Sequence, residues 1–346
     1  MTRVALVGYG MAGRQIHTPP LREAGLTVTH VVTRNAERAA HAAEDHPGVV
    51  VVSSIEELVT LRDDLDLAVV ASPSGDHLAN ARVLIDAGIP LVIDKPMAVN
   101  ADDALEIVDL AEHEQVPLTV FQNRRYDPEH STLARVVQEG LVGEAFRFEH
   151  RWERWRPVPK DRWRENLASE DGGGILLDLQ SHLVDAAVQL FGPIDTVSAV
   201  INTLTTTADD DTFLLCRHES GVTSHLSATS LAGAPGPRVR LLGRDAAYVL
   251  AALSDEPVTF ADLADADGHC GWLWRGDQRE PVTRAESSQA DFYRAVAAAL
   301  TAADPQSAMP VDPRDAVHVL AVLDAARTSA SDHREVEVIT PGQRPD

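Results

Sequence analysis

Residues 4–15 read VALVGYGMAGRQ, an apolar run followed at once by glycines at positions 8, 10 and 13. A strand that ends in G-x-G-x-x-G and passes directly into a helix is the opening unit of a parallel sheet wound with helices on both faces. Gly8 permits the tight turn, Gly10 leaves the backbone open to an approaching pyrophosphate, and Gly13 lets helix and strand pack closely. The helix amino terminus then faces the negative charge. A tight structural turn is the competing reading, and the strand–glycine–helix context favours dinucleotide binding.

Five more apolar stretches follow at helix-length intervals: TVTHVVT, VVVV at 49–52, DLAVVAS, PLVID and PLTVFQ. Runs of Val, Leu, Ile and Ala this continuous suit strands covered on both faces. Gly88 after ARVLIDA and Pro117 after AEHEQV sit where helices end. Beyond residue 123 the period changes to two. AFRFEHRWERW alternates Phe146, Phe148 and Trp152 with Arg147, Glu149, Arg151 and Glu153, the pattern of a strand with one wet face. DTVSAVIN, DTFLLCRHES, GVTSHLSATS, RVRLLG and AAYVLAA continue in kind, before helical patterns return at SSQADFYRAVAAAL and DPRDAVHVLAVLDAARTSA. The 346 residues thus read as an α/β protein of two domains: a doubly wound Rossmann domain over 1–122, and an α+β domain over 123–346 with a large open antiparallel sheet.

Charge narrows the partners. Against 30 Lys plus Arg stand 53 Asp plus Glu, a net charge of −23 that repels phosphate backbones and anionic lipid, so neither nucleic acid nor membrane is an expected partner. No window holds the roughly 18 consecutive apolar residues of a bilayer span and no charged leader precedes the first strand, which points to the cytoplasm. Cys216 and Cys270, the only cysteines, are too few for a disulfide framework or a thiolate zinc site, and no metal is expected. Lysine is as scarce: Lys95 and Lys160 are the only two. Where Arg fills nearly every other cationic position, a lysine marks a place for a compact, titratable ammonium in place of a rigid fork, although a codon bias against Lys gives the same composition.

Three stretches carry candidate chemistry. At the tip of the second strand, VVTRN sets Thr33 and Arg34 where a carboxylate would hold the ribose of NAD; a hydroxyl and a guanidinium suit the 2′-phosphate of NADP, with Glu37 still able to serve NAD. LVIDKPMAVN sets Asp94, Lys95 and Pro96 just past the fifth strand, at the carboxyl edge where such sheets bind ligands. Pro96 biases Lys95 away from helix, so that its ammonium can project over a cofactor; a solvated Asp94–Lys95 pair is the plainer alternative. DGGGILLDLQSHLVDAAVQLFGP opens on glycine, runs as a helix and stops at Gly192 and Pro193, with Asp178, His182, Asp185 and Gln189 on one face. That stripe looks either into a cleft or onto solvent. In a cleft, a carboxylate one turn from an imidazole can orient the ring and stabilise its charged form while the ring takes a hydroxyl proton.

In this order and spacing GYGMAG, ASPSGDH, DKP, FQNRRYDP and DGGGILLDLQSHLVD resemble the Gfo/Idh/MocA family of NAD(P)-dependent oxidoreductases, over essentially the whole chain. The resemblance implies NADP by preference, or NAD, held by Gly8, Gly10, Met11, Ala12, Gly13, Thr33, Arg34, Ser72, Pro73, His77, Asp94, Lys95 and Asn123. It implies a catalytic trio of Lys95, Asp178 and His182, with His182 accepting the hydroxyl proton, Asp178 orienting it and Lys95 polarising the forming carbonyl oxygen. Asn123, Arg124 and Arg125 resemble in particular the branch containing NADP-dependent scyllo-inositol dehydrogenases, so the implied substrate is a cyclic polyol or sugar, met by Lys95, Asn123, Arg124, Asp178 and His182. Trp163 and Arg164 of KDRWRE are candidates for walling the pocket, a surface loop that happens to hold Trp being the equal alternative. A homodimer or homotetramer on the open face of the second sheet is also implied. The alternatives are a biliverdin-reductase-like or dihydrodiol-dehydrogenase-like reaction, or a non-catalytic cofactor-binding regulator. Two departures from the family pattern stand out: Asp94 replaces the usual Glu, which bears on how the lysine loop is braced, and Gln180 occupies a common glycine position, which bears on the shape of the pocket.

Overall fold

The computed structural model of the chain describes residues 2–160, 163–168, 172–254 and 256–342. They form two compact units, each drawn from two segments: Met1–Tyr126 with Ser288–Val317, and Asp127–Ser287 with His318–Asp346.

The first unit holds β1 (Arg3–Val7), β2 (Thr27–Val32), β3 (Val50–Val52), β4 (Leu67–Val70), β5 (Leu91–Asp94) and β6 (Leu118–Phe121), in the spatial order β3-β2-β1-β4-β5-β6, every neighbouring pair parallel. Val4, Leu6, Leu67, Val69, Val92 and Ile93 are wholly buried, as two-sided coverage by helices demands. The connecting helices begin on side chains that accept backbone N–H groups: Asn35 from Arg38, Ser54 from Glu57 and Asn100 from Asp103. Because all six strands run one way, the loops that leave their carboxyl ends share one edge, and the strand order reverses between β1 and β4.

The expected single boundary at 122/123 is corrected by the return of Ser288–Val317 to this unit. The helix Gln289–Ala299 starts on a capping box, Ser288 with Asp291, and buries Phe292, Tyr293 and Val296 in the cluster that contains Tyr9, Leu21 and Phe121. The Phe121 ring lies 5.0 Å from that of Phe292 and 5.3 Å from that of Tyr293. Each of these aromatic side chains contributes about 1.5–3 kcal/mol by leaving water, which is why the segment belongs here and not with its sequence neighbours.

The second unit carries a nine-stranded sheet: β7 (Ala145–Glu153), β8 (Ile194–Asn202), β9 (Asp211–His218), β10 (Thr223–Thr229), β11 (Val239–Gly243), β12 (Ala247–Leu250), β13 (His269–Arg275), β14 (Gln278–Thr283) and β15 (Val336–Glu337). The order is β14-β13-β12-β11-β7-β10-β9-β8-β15. It is antiparallel as expected except at one place, since β10 pairs parallel to β7. The chain leaves β7 through the helix Ser181–Phe191 and the β8–β9 hairpin, a connection long enough to return a strand in the same direction.

The simple alternation read in β7 also fails at two positions. Glu149, expected on the wet face, is buried and sits 2.6 Å from Arg151 and 3.0 Å from Arg240, which neutralise it; Phe146 is half exposed where the register with β11 breaks at Leu242/Gly243.

Candidate functional site

The glycines of the first turn are required by their surroundings. Gly8 has φ +98°, and a Cβ there would stand 2.9 Å from the Ala71 carbonyl oxygen and the Ser72 amide nitrogen; a Cβ on Gly13 would overlap the Gly8 carbonyl. Gly10 meets only the Arg38 guanidinium, 3.8 Å away, so its surface is open in the way a backbone cradle for a pyrophosphate needs. Met11 is exposed beside it and Ala12 half-buried. Thr33 accepts the Asn35 amide N–H at 3.3 Å, and both Arg34, which precedes the Asn35 cap, and Arg38, in the first turn of the helix Ala36–Asp45, are exposed. Arg38 escaped the reading of the sequence, though its place four residues after Arg34 was the available signal.

From Ala12 to His17 the helix runs as a π turn. Pro19 and Pro20 have no amide hydrogen to continue the ordinary ladder, and the Thr18 N–H and hydroxyl both reach the Gly13 carbonyl instead. The wider turn carries His17 into the core, where it is fully buried. Its Nδ1 lies 2.5 Å from the Tyr293 hydroxyl and its Nε2 3.5 Å from Asp94 Oδ1.

Lys95 follows β5 on the carboxyl edge, half-buried, with a cis peptide to Pro96. Its amide N–H donates to Asp94 Oδ1 at 2.9 Å. Burial opposes the charged form of Asp94, but His17, then Lys95 and His77, more than offset it and hold the carboxyl below its ordinary range. His77, implied as a cofactor contact, packs between two loops of the first unit. It is buried, its Nε2 lies 2.9 Å from the Ser72 carbonyl oxygen, and its Nδ1 lies 3.1 and 3.2 Å from those of Pro96 and Met97. The ring is wedged between the Lys95 loop and the loop after β4; burial favours its neutral form, and its one N–H donates to a carbonyl on one side while the other nitrogen packs against the facing carbonyl. Ser72 itself is half-buried, its hydroxyl accepting from Asn80 at 2.9 Å, and Pro73 is exposed. On the next loop Asn123 is buried, and its Oδ1 has no hydrogen-bond partner, an orphan acceptor beside the strand that carries Lys95; Arg124 is half-buried.

In the second unit the glycine run has a structural purpose. A Cβ on Gly173 would overlap the Leu167 carbonyl, and one on Gly174 would overlap the Asp209 carboxylate. Asp209, buried and 33 residues downstream, accepts the Leu176 N–H at 2.6 Å, while its own carbonyl accepts that of Ile175 at 3.0 Å. It caps the segment that holds Asp178 and His182. A π turn at Leu176–Gln180 precedes the regular helix Ser181–Phe191, so the even polar stripe drawn on an ideal helix is altered at its first residue.

Asp178 is half-buried and lines a cleft with Arg154, Arg156, Lys160 and Thr206. His182 is 8 % exposed, its ring 5.4 Å from that of Trp152, which in turn carries the Arg238 guanidinium at 4.1 Å. Trp152 and Arg238 were read as sheet residues only, and nothing local in their sequence marks them as the backing of an imidazole. Asp185 is buried, whereas Gln189 is exposed and bonds His130 at 3.0 Å, so the stripe runs from the protein interior out to the surface. Gln180 turns away from the cleft and donates to the Leu226 carbonyl of β10 at 3.0 Å; it fills the core without narrowing the site. The backbone of Trp163–Asn166 forms one helical turn, and the side chains of Trp163 and Arg164 lie outside the described residues.

A six-stranded parallel sheet with this glycine turn at its switch point defines a dinucleotide-binding Rossmann fold. A family model described as oxidoreductase family, NAD-binding Rossmann fold, matches residues 2–122, and one described as the GFO/IDH/MocA C-terminal domain matches residues 130–249. The chain belongs to the Gfo/Idh/MocA family.

Among its relatives is scyllo-inositol 2-dehydrogenase (NADP(+)) IolW of Bacillus subtilis, 26% identical over 96% of this chain and 95% of that protein. An inositol 2-dehydrogenase of Corynebacterium glutamicum is 33% identical over 41% of this chain and 42% of its own length. An oxidoreductase structure from Klebsiella pneumoniae superposes with a TM-score of 0.85 at 30% identity, covering 100% of this chain and 97% of that one. Among the described residues no helix is long and apolar enough to cross a membrane.

Proposed function

We propose that the chain interconverts a secondary hydroxyl and a ketone on a cyclic polyol or sugar, using NADP(H) in preference to NAD(H). The observation that carries the reading is the placement of Lys95, one of two lysines, half-buried at the carboxyl end of β5 on a loop held by Asp94 and His77. When bound, the nicotinamide supplies the hydride acceptor or donor. In oxidation, a ring nitrogen of His182 accepts the hydroxyl proton, Asp178 orients the substrate and that ring, and the Lys95 ammonium stabilises the developing carbonyl oxygen. The buried aromatic backing of His182 by Trp152 supports a fixed ring. Asn123 and Arg124, with Lys95, are assigned to substrate hydroxyls.

Preference for NADP is supported by the end of β2, which offers Thr33, Arg34 and Arg38 and no carboxylate at the Thr33 position. The likeness to an NADP-dependent inositol dehydrogenase along nearly the whole chain points the same way. Oxidation of scyllo-inositol and other inositol isomers, followed by nicotinamide absorbance with each cofactor, tests both statements. kcat/KM should be higher with NADP+, and Arg34→Ala should cost about 1.5–3 kcal/mol with NADP+ and little with NAD+. Equal efficiency with the two cofactors, or equal losses in the variant, removes the NADP assignment; inertness towards every cyclic polyol and aldose removes the substrate class.

We place the enzyme in the cytoplasm as a homodimer or homotetramer joined through the open face of the second sheet, where Val200 and Phe213 are exposed. Elution as a monomer in size exclusion would exclude the assembly.

A further inference from the structure

His17 is a fully buried titratable side chain with no part in the proposed chemistry. Its box is apolar on two sides, with the Phe121 ring 4.5 Å away and the Tyr293 ring 6.2 Å away. Tyr293 is itself buried, and burial first, then the facing Asp94, keeps its phenol protonated far above its ordinary range. The hydroxyl can donate to His17 Nδ1, which puts the ring proton on Nε2; the opposite tautomer would turn the Nε2 lone pair towards the Asp94 carboxylate and is disfavoured. Nε2 makes no hydrogen bond of ordinary geometry and has Asp94 Oδ1 at 3.5 Å. An N–H buried among aromatic rings carries a penalty unless it finds an acceptor.

We infer that His17 is a positioning residue for Lys95: anchored by the Tyr293 hydroxyl, its Nε2–H pins Asp94 Oδ1, the same oxygen that accepts the Lys95 amide, and so fixes the backbone from which the ammonium projects. The inference rests on the reading of Lys95 as the group that meets the substrate oxygen. It also accounts for the shortened carboxylate at position 94, because an imidazole reaching out of the core supplies what the shorter side chain gives up in reach. His17 ends the π turn that begins beside Gly10, so one short helical segment joins the glycine loop to the brace behind Lys95.

The scarcity of lysine makes the test direct. Biosynthetic labelling with [ε-13C]lysine gives two side-chain resonances, and Lys160→Arg assigns them. In the full chain, with and without NADP+, His17→Leu should displace the Lys95 resonance and leave that of Lys160 in place. His17→Gln, which retains a donor near the Nε2 position, should return it most of the way. Tyr293→Phe, which deletes one oxygen and keeps the ring, should move it in the same direction by less, and serves alone if His17→Leu does not fold. The double variant His17→Leu/Asp94→Asn should match Asp94→Asn, because His17 acts only through that carboxylate. His30→Gln, a buried histidine on β2, should leave Lys95 unmoved. In scyllo-inositol oxidation, displacement of the ammonium by about 1 Å should lower kcat between about 10-fold and 100-fold with the KM for NADP+ unchanged.

A Lys95 resonance indifferent to His17→Leu and Tyr293→Phe, or one that His17→Gln fails to restore, overturns the inference. Full activity in Lys95→Arg overturns instead the reading of Lys95 beneath it. The two failures are separable because the resonance does not depend on turnover.

Discussion

At the scale of single residues, the lysine at 95 is the choice that demands a reason, since a chain this rich in arginine could have placed a guanidinium there. A loop charge paired with Asp94 would work equally well as Arg, and exchange would cost about 0–1 kcal/mol. A donor aimed at a developing oxyanion would not, because a planar fork cannot put its protons at the point a compact ammonium occupies. With saturating NADP+ and folding checked by circular dichroism, Lys95→Arg should be nearly as damaging as Lys95→Ala, each losing about 100-fold or more. His182→Ala should lose about 100-fold to 10,000-fold while still binding cofactor in a fluorescence titration, and near wild-type kcat would return His182 to the core as a packing residue. Cysteine offers the contrast. Burial pushes the Cys216 thiol up to about 12 and that of Cys270 up to about 11, so both remain protonated and poorly nucleophilic at neutral pH, and an alkylating reagent should leave the native protein untouched.

Among the elements, the helical segment that holds Asp178 and His182 depends on a partner remote in sequence. Asp209 takes a backbone N–H at its start, and Gly174 is bare because that carboxylate occupies the space a side chain would need. Asp209→Ala removes the cap and should cost about 1–3 kcal/mol in urea unfolding. Gly174→Ala should be at least as harmful, because φ is +88° and the added carbon meets Asp209. A change below about 0.5 kcal/mol in Asp209→Ala would mean that water caps the helix equally well.

The glycines announced this turn in the sequence, whereas Asp209 could not be found there, because nothing local links positions 33 apart. The same distinction holds across the fold. The six parallel strands were legible as unbroken apolar runs. The strands at β13 and β14 were not, since Gly271 interrupts HCGWLWR and QREPVT is charged, exposed and contains Pro281. The two π turns escaped as well, because a 3.6-residue wheel has no place for an added residue. His17 was overlooked because its meaning lies in Tyr293, 276 residues away.

Across the whole molecule the chain crosses between its two units three times, at 126/127, 287/288 and 317/318, so neither unit is one continuous piece. A fragment ending at 122 would lack Phe292, Tyr293 and Val296 and leave Phe121 and Tyr9 without part of their packing; it should aggregate or bind hydrophobic dye. Stability against acid has a local origin in the second unit. His318 is buried, its Nε2 accepts the Ile194 N–H at 3.0 Å, and its Nδ1 lies 2.6 Å from the Thr340 hydroxyl. A nitrogen that accepts must be unprotonated, so the folded ring is neutral, with its proton on Nδ1. Burial first, and the nearby His218 second, lower its pKa to about 4, against about 6.5 for the unfolded chain. Between those values the unfolded chain binds a proton that the folded chain does not. The contribution is therefore complete above about pH 6.5 and is lost as pH falls towards 4, by up to about 1.4 kcal/mol per pH unit. His318→Gln keeps an acceptor for Ile194 and a donor for Thr340 but cannot titrate. Urea unfolding at pH 7.5 and pH 5.0 should show wild-type stability falling by up to about 2 kcal/mol more than that of the variant. The depressed carboxyls of Asp45 and Asp66 contribute equally to both proteins over this interval, since their stabilisation disappears only at lower pH. The same fall in both proteins would show that His318 is not the group through which acid loosens the fold.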